Sequence, residues 1–183
     1  MLTAGIKLLN FKKKVDNKKI KKNFKIIINQ KNEVINSLSK NYKNNYKKVK
    51  LNRFKKYSNF RVIGMGGSTL GTQTIYEFLR HKIKKNFFFE DNLQIRKNTK
   101  IKKFINLVVS KSGNTTETIV NANILINKKD KNIFITEKRD SYLYLLAKKL
   151  KAEIIHHNNY IGGRYSVLSE VGMLPADLMG LQT

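Results

Sequence analysis

The run Ser110-Lys111-Ser112-Gly113-Asn114-Thr115-Thr116-Glu117-Thr118 sets five hydroxyls around one glycine, directly after the largely apolar stretch Ile105–Val109. Phosphate has several acceptor oxygens, and hydroxyls together with the free amides of a helix start satisfy them without a metal. No Gly-Lys-Ser or Gly-Lys-Thr follows a glycine-spaced run here, so this is not a Walker loop. An ordinary helix start needs a single capping hydroxyl, with Thr115 or Thr116 as the cap and Glu117 in the first turn. Five exceed that need, and an anion site is the preferred reading.

Two further clusters carry potential chemistry. Gly64-Met65-Gly66-Gly67-Ser68-Thr69-Leu70-Gly71 follows the strand candidate Phe60-Arg61-Val62-Ile63. Its glycines allow close backbone approach to a ligand, and Ser68 and Thr69 could cap the next helix or donate to an anion. Alone it suits a capped tight turn as well as an anion cradle, and its spacing is not a clean GxGxxG. Gly162-Gly163-Arg164-Tyr165-Ser166-Val167-Leu168-Ser169 places a guanidinium on a glycine hinge, a planar donor fork for an oxyanion. Alone it reads better as a surface arginine before a helix capped by Ser166.

These clusters need a scaffold. Strands are expected at Phe60–Ile63, Ile105–Val109, Asn132–Thr136 and Ala152–His156. Helices are expected at Leu70–Ile83, Thr115–Asn127 and after a Ser141 cap, where Leu143, Leu146, Ala147 and Leu150 share one face. Alternating strands and helices with near-continuous apolar strands predict right-handed βαβ units and a parallel sheet buried on both faces. In such sheets ligands bind beyond the carboxyl ends of the strands, where the first two clusters fall. Residues 1–57 are rich in Lys and Asn, have no glycine after Gly5, and read as mostly helical, with an exposed helix over about Lys31–Lys50. The division expected is 1–57, then an α/β unit over 58–183.

Composition narrows the class. The 183 residues suit one domain with a real core. No apolar run approaches the roughly 20 residues of a membrane span, and the start lacks a secretory signal, so a cytoplasmic protein with no membrane association is expected. Cysteine is absent, excluding disulfides and thiolate–zinc sites. Lys+Arg number 38 against 12 Asp+Glu, a net charge of +26. That excess could serve a polyanion or speed encounter with a phosphorylated metabolite. Lys, Asn and Ile all have AT-rich codons, however, and compositional drift is the preferred account, with nucleic-acid binding set below it.

Taken together, GMGGSTLG, SKSGNTTET and GGRYSVLSEVGMLPA resemble, in order, the first glycine loop, phosphate loop and GGR-[YF]-S signature of the glucose-6-phosphate isomerase family. The resemblance covers about Asn59 to the end. It implies a three-layer α/β/α parallel sheet of the sugar isomerase (SIS) type, flavodoxin- or Rossmann-like, after a mainly helical amino-terminal segment. It implies interconversion of glucose 6-phosphate and fructose 6-phosphate through an enediolate, with no metal or organic cofactor. Ser110, Ser112 and Thr115 would hold the phosphate, Lys111 would add backbone contacts, and Gly67 and Ser68 would lie beside it. Gly163 and Arg164 would face the reacting carbons, with Arg164 stabilising the enediolate charge. The family's general-base glutamate, ring-opening histidine and late lysine belong to downstream motifs that this sequence does not contain. An amino-terminal fragment, inactive alone, is therefore expected, from a protein that is a homodimer at full length. Glu117 would orient the loop, Glu170 is expected at the surface, Asp177 matches no catalytic position, and His156 and His157 read as packing or solvent-facing. The alternative is a phosphosugar-sensing module of the same fold without catalysis.

Overall fold

The computed structural model describes residues 18–30, 32–39, 41–93 and 103–182. Five strands form one all-parallel sheet: β1 (Asn59–Ile63), β2 (Asn86–Glu90), β3 (Ile105–Val109), β4 (Lys131–Thr136) and β5 (Glu153–His156). Their spatial order is β2-β1-β3-β4-β5. The chain leaves β1 for the β2 edge and then resumes on the other side at β3, so the direction of winding reverses between β1 and β3. That reversal opens a crevice at the carboxyl ends of these two strands.

Side chains alternate across the sheet, and each face is covered. Phe60, Val62, Leu107, Val109, Ile133 and Ile135 share one core with Leu51 and Phe54 of α3 (Lys48–Lys55), Tyr76 of α4 (Leu70–Phe78), and Val171, Leu174 and Leu178 of α7 (Glu170–Met179). Ile63, Val108 and Phe134 face the opposite way, against Ala122 of α5 (Thr116–Leu125) and Leu143 and Ala147 of α6 (Tyr142–Lys149). The result is the expected three-layer α/β/α architecture. Double-sided burial explains why β3 is apolar at all positions but Asn106, which is itself buried with its Nδ2 donating to Asn132 Oδ1 at 2.8 Å. Ser141 caps α6, its Oγ accepting from the Tyr144 amide at 3.4 Å.

Four expectations need correction. The strand β2 went unread, because its three consecutive phenylalanines hide the alternation of a strand. That helix ends at Phe78, and a 3-10 turn, Arg80–Lys82, follows. Phe87 and Phe89 of β2 point into the core while Phe88 stacks edge-on against Phe104, with ring centroids 5.4 Å apart. The exposed helix over Lys31–Lys50 is instead a short α2 (Glu33–Ser37), an irregular stretch, and α3. The irregular stretch brings Tyr42 and Asn45 to Glu170 of α7 and to Asn158 after β5. Finally, Ser166 caps no helix: its Oγ is buried and donates to the Gly163 carbonyl at 2.7 Å. An amphipathic helix, α1 (Lys18–Ile28), opens the described chain.

Candidate functional site

The carboxyl edge gathers the three clusters. Ser110 follows β3, and its amide continues the sheet by donating to the Ile135 carbonyl at 3.1 Å. Ser110 Oγ lies 3.0 Å from Thr115 Oγ1 and accepts from the Gly113 amide at 3.2 Å. A pair of hydroxyls sharing one hydrogen bond uses one proton, so the pair keeps a second for a ligand. Ser112 Oγ accepts from the Asn114 amide at 3.2 Å, leaving its own proton to donate. The sequence offered Thr115 or Thr116 as the cap of α5. Thr115 occupies that position, but its side chain makes no capping bond. Its hydroxyl turns to Ser110 instead, and the first-turn amides of α5 stay unclaimed by any side-chain cap, with the positive end of the helix dipole behind them.

The loop is locked from behind. Gly113 has φ +68°, the left-handed region, and a Cβ there would sit 2.1 Å from Ser141 Oγ. The Gly113 carbonyl accepts from the Leu143 amide at 3.0 Å, and Asn114 Oδ1 accepts from the Tyr142 amide at 2.9 Å. The Lys111 carbonyl accepts from the Glu137 amide at 3.1 Å. Lys111 Nζ donates to the Asn159 carbonyl and lies 3.9 Å from Glu137, whose other oxygen pairs with Arg139 at 2.9 Å.

The first and third clusters meet directly. A Cβ on Gly64 would lie 2.8 Å from the Val109 carbonyl, and one on Gly67 only 2.4 Å from the Gly163 carbonyl carbon and oxygen. Gly67 thus lets the first loop touch the backbone of Gly163 and Arg164, while Gly71 packs on Val167. Thr69 precedes α4 with no side-chain capping bond, its Oγ1 donating to the Gly66 carbonyl at 3.3 Å. Ser68 is half-buried beside it, and among the described residues its hydroxyl makes no hydrogen bond. The Arg164 guanidinium is exposed and likewise makes no hydrogen bond or ion pair among the described residues. Among those residues, no trio of His, Asp or Glu is arranged to hold a metal ion, and no helix is long and apolar enough to cross a membrane.

The expectation that Glu170 lies at the surface is overturned. Its side chain is fully buried, with Oε1 accepting from the Tyr42 hydroxyl at 3.1 Å and the Asn45 amide at 2.9 Å. Its second oxygen is buried and has no hydrogen-bond partner among the described residues. Burial, reinforced by this carboxylate, pushes the Tyr42 phenol well above its usual range. His157 is 1% exposed and contacts the Asn158 carbonyl at 3.0 Å, and burial holds its imidazole below the ordinary histidine value. Nothing near Glu170 in the sequence announces these partners, which come from more than a hundred residues away.

The fold and this edge define a class: a doubly wound parallel α/β protein whose switch point presents hydroxyls, helix-start amides and an arginine. The comparisons narrow it. The phosphoglucose isomerase family model matches residues 11–182, and the chain belongs to that family. Glucose-6-phosphate isomerase of Methanocaldococcus jannaschii is 36% identical over 138 residues, covering 68% of this chain and 34% of that protein. The Mycoplasma mycoides enzyme of the same name is 32% identical over 206 aligned positions, covering 96% of this chain and 48% of its own. The chain therefore spans less than half the length of these relatives. A crystal structure of a hypothetical protein from Thermus thermophilus shares the fold, with a TM-score of 0.62 at 23% identity over 74% of this chain and 37% of that one.

Proposed function

We propose that this chain is the sugar-phosphate-binding portion of a glucose-6-phosphate isomerase. The ester of glucose 6-phosphate or fructose 6-phosphate would sit against the Ser110–Thr115 loop. Ser112, the Ser110–Thr115 pair and the first amides of α5 would donate to its oxygens, with Ser68 beside them and the Lys111 amide contributing from the backbone. Gly67 and Gly163 would bring Arg164 over the adjoining carbons. There its guanidinium would stabilise the oxyanion of an enediolate, a preorganised contribution of about 3 kcal/mol by analogy with other oxyanion donors. The observation that carries this reading is Thr115: a residue at a helix start spends its hydroxyl on Ser110 and leaves the helix amides open.

Isomerisation further needs a base that takes a proton from one carbon and returns it to the next. Of the acids around the assembled loops, Glu117 sits in the first turn of α5, where it is read as orienting the loop, Glu137 pairs with Arg139, and Glu170 is sealed beneath Tyr42 and Asn45. The 183-residue chain is accordingly expected to bind but not to turn over. Calorimetry with fructose 6-phosphate, fructose and inorganic phosphate tests this. The phosphorylated sugar should bind, fructose should not, and Ser110→Ala with Thr115→Ala should weaken binding at least about tenfold, since each lost charge-assisted bond is worth about 1.5–3 kcal/mol. Equal affinity for fructose and its phosphate would refute the assignment, and substantial turnover in a coupled assay would refute the expectation of inactivity.

A further inference from the structure

Glu170 is the buried ionisable group that the proposed chemistry does not use. It opens α7 directly after the Gly163–Leu168 turn, and its carboxylate draws together pieces of chain distant in sequence. Oε1 holds the Tyr42 hydroxyl and the Asn45 amide. Those two residues hold the loop after β5: Asn158 Nδ2 donates to the Tyr42 hydroxyl at 2.8 Å, and Asn45 Nδ2 donates to Asn158 Oδ1 at 2.8 Å and to the His156 carbonyl at 3.3 Å. The next residue, Asn159, takes its carbonyl to Lys111 Nζ, inside the hydroxyl-rich loop. A continuous path thus runs from the Glu170 carboxylate through Tyr42, Asn45, Asn158 and Asn159 to the residue between Ser110 and Ser112.

Simple stability does not account for a carboxylate here. A buried carboxyl is costly unless fully hydrogen-bonded, and one oxygen of Glu170 has no partner among the described residues. An apolar residue on α7 would fill the space without that cost, but it could not grip a hydroxyl and a backbone amide from another segment. Such expensive polar contacts persist where they fix a geometry.

We propose that Glu170 is a positioning residue. By clamping residues 42–45 onto the loop after β5, it sets the place of Asn159 and thereby the pose of Lys111 in the phosphate loop. This rests on the sugar-phosphate reading above, and the closing experiment separates the two. Glu170→Ala, Glu170→Gln and Tyr42→Phe would be compared with the parent chain well below their melting temperatures. Backbone amide hydrogen exchange would be followed at Lys111–Gly113 and Asn158–Ile161, and fructose 6-phosphate affinity measured by calorimetry.

Glu170→Ala should speed exchange at both segments about tenfold and weaken fructose 6-phosphate about tenfold. Glu170→Gln keeps an oxygen acceptor for Tyr42 and Asn45 and should restore both readouts. Tyr42→Phe, a milder cut in the same path, should give an intermediate effect, and it serves if Glu170→Ala fails to fold. Unchanged exchange at Lys111–Gly113 in Glu170→Ala and Tyr42→Phe would overturn the proposal. So would faster exchange with unchanged affinity, which would leave Glu170 a merely structural tie. If the parent chain does not bind fructose 6-phosphate, the sugar-phosphate reading fails, and the exchange comparison alone then decides whether Glu170 sets the loop.

Discussion

Gly113→Ala should be among the most damaging single-atom additions in this protein, and its cost can be divided. The residue sits at φ +68°, so any side chain carries the left-handed penalty of about 1 kcal/mol. The added Cβ would also lie 2.1 Å from Ser141 Oγ, 2.8 Å from Ser141 Cβ and 3.0 Å from Thr136 Oγ1. Rotating Ser141 moves its Oγ but not its Cβ, so the backbone at the start of α6 must shift. That shift threatens the Ser141 cap and the bonds from Tyr142 N to Asn114 and from Leu143 N to Gly113. A lost cap and a weakened hydrogen bond cost about 1 kcal/mol each. The total for Gly113→Ala is then about 3 kcal/mol.

Ser141→Gly removes both of the closest atoms, while glycine at a helix cap costs only about 0.5 kcal/mol. The double variant should therefore be more stable than Gly113→Ala alone, with a favourable coupling of about 1.5 kcal/mol. Urea unfolding followed by circular dichroism supplies all four stabilities; tryptophan fluorescence is not an option, since the chain has no Trp. If the two substitutions simply add, the steric part of the argument is wrong and the glycine is required for its backbone angle only.

Other perturbations have defined outcomes. Gly67→Ala would place a Cβ against main-chain atoms of Gly163 that cannot rotate away; it should cost about 2 kcal/mol by overpacking and lower fructose 6-phosphate affinity, read by melting and titration together. His157 is held neutral by burial, its folded pKa below the unfolded value. The unfolded chain then binds more protons below about pH 6.5, so stability falls as pH drops through that value toward the folded pKa. His157→Gln should flatten this part of the urea-midpoint profile, and an unchanged profile would clear the histidine of the effect. The Arg53–Glu153 pair, at 2.5 Å, has an arginine side chain 56% exposed. Arg53→Ala should accordingly cost less than about 1 kcal/mol and lose even that at high salt, by the same unfolding assay.

The sheet was largely legible because its chemistry is local. Buried strands such as Ile105–Val109 are apolar but for Asn106, and the carboxyl ends of β1 and β3 are marked by glycine and hydroxyl residues. The edge strand β2 escaped because three consecutive phenylalanines hide an alternation, two facing the core and one stacked on Phe104. The helix expected over Lys31–Lys50 failed for a different reason. Its interior residues Tyr42, Asn45 and Tyr46 are claimed by Glu170, Asn158 and Asp177, partners that no window of sequence contains. The same distance hid the burial of Glu170. The hydroxyl loop suggested an anion site by its residue types alone, but the turning of Thr115 from its own helix to Ser110 is a tertiary fact.

The central claim is that hydroxyls and helix-start amides at the β1–β3 crevice receive a sugar phosphate. Titration of the isotope-labelled chain with fructose 6-phosphate, read by backbone amide shifts, tests it most directly. Saturable shifts centred on Ser110–Thr118, with smaller ones at Gly67–Ser68 and Gly163–Arg164, are the predicted result. Saturation centred on any other surface, or shifts that track the basic residues and vanish with modest salt, would contradict it.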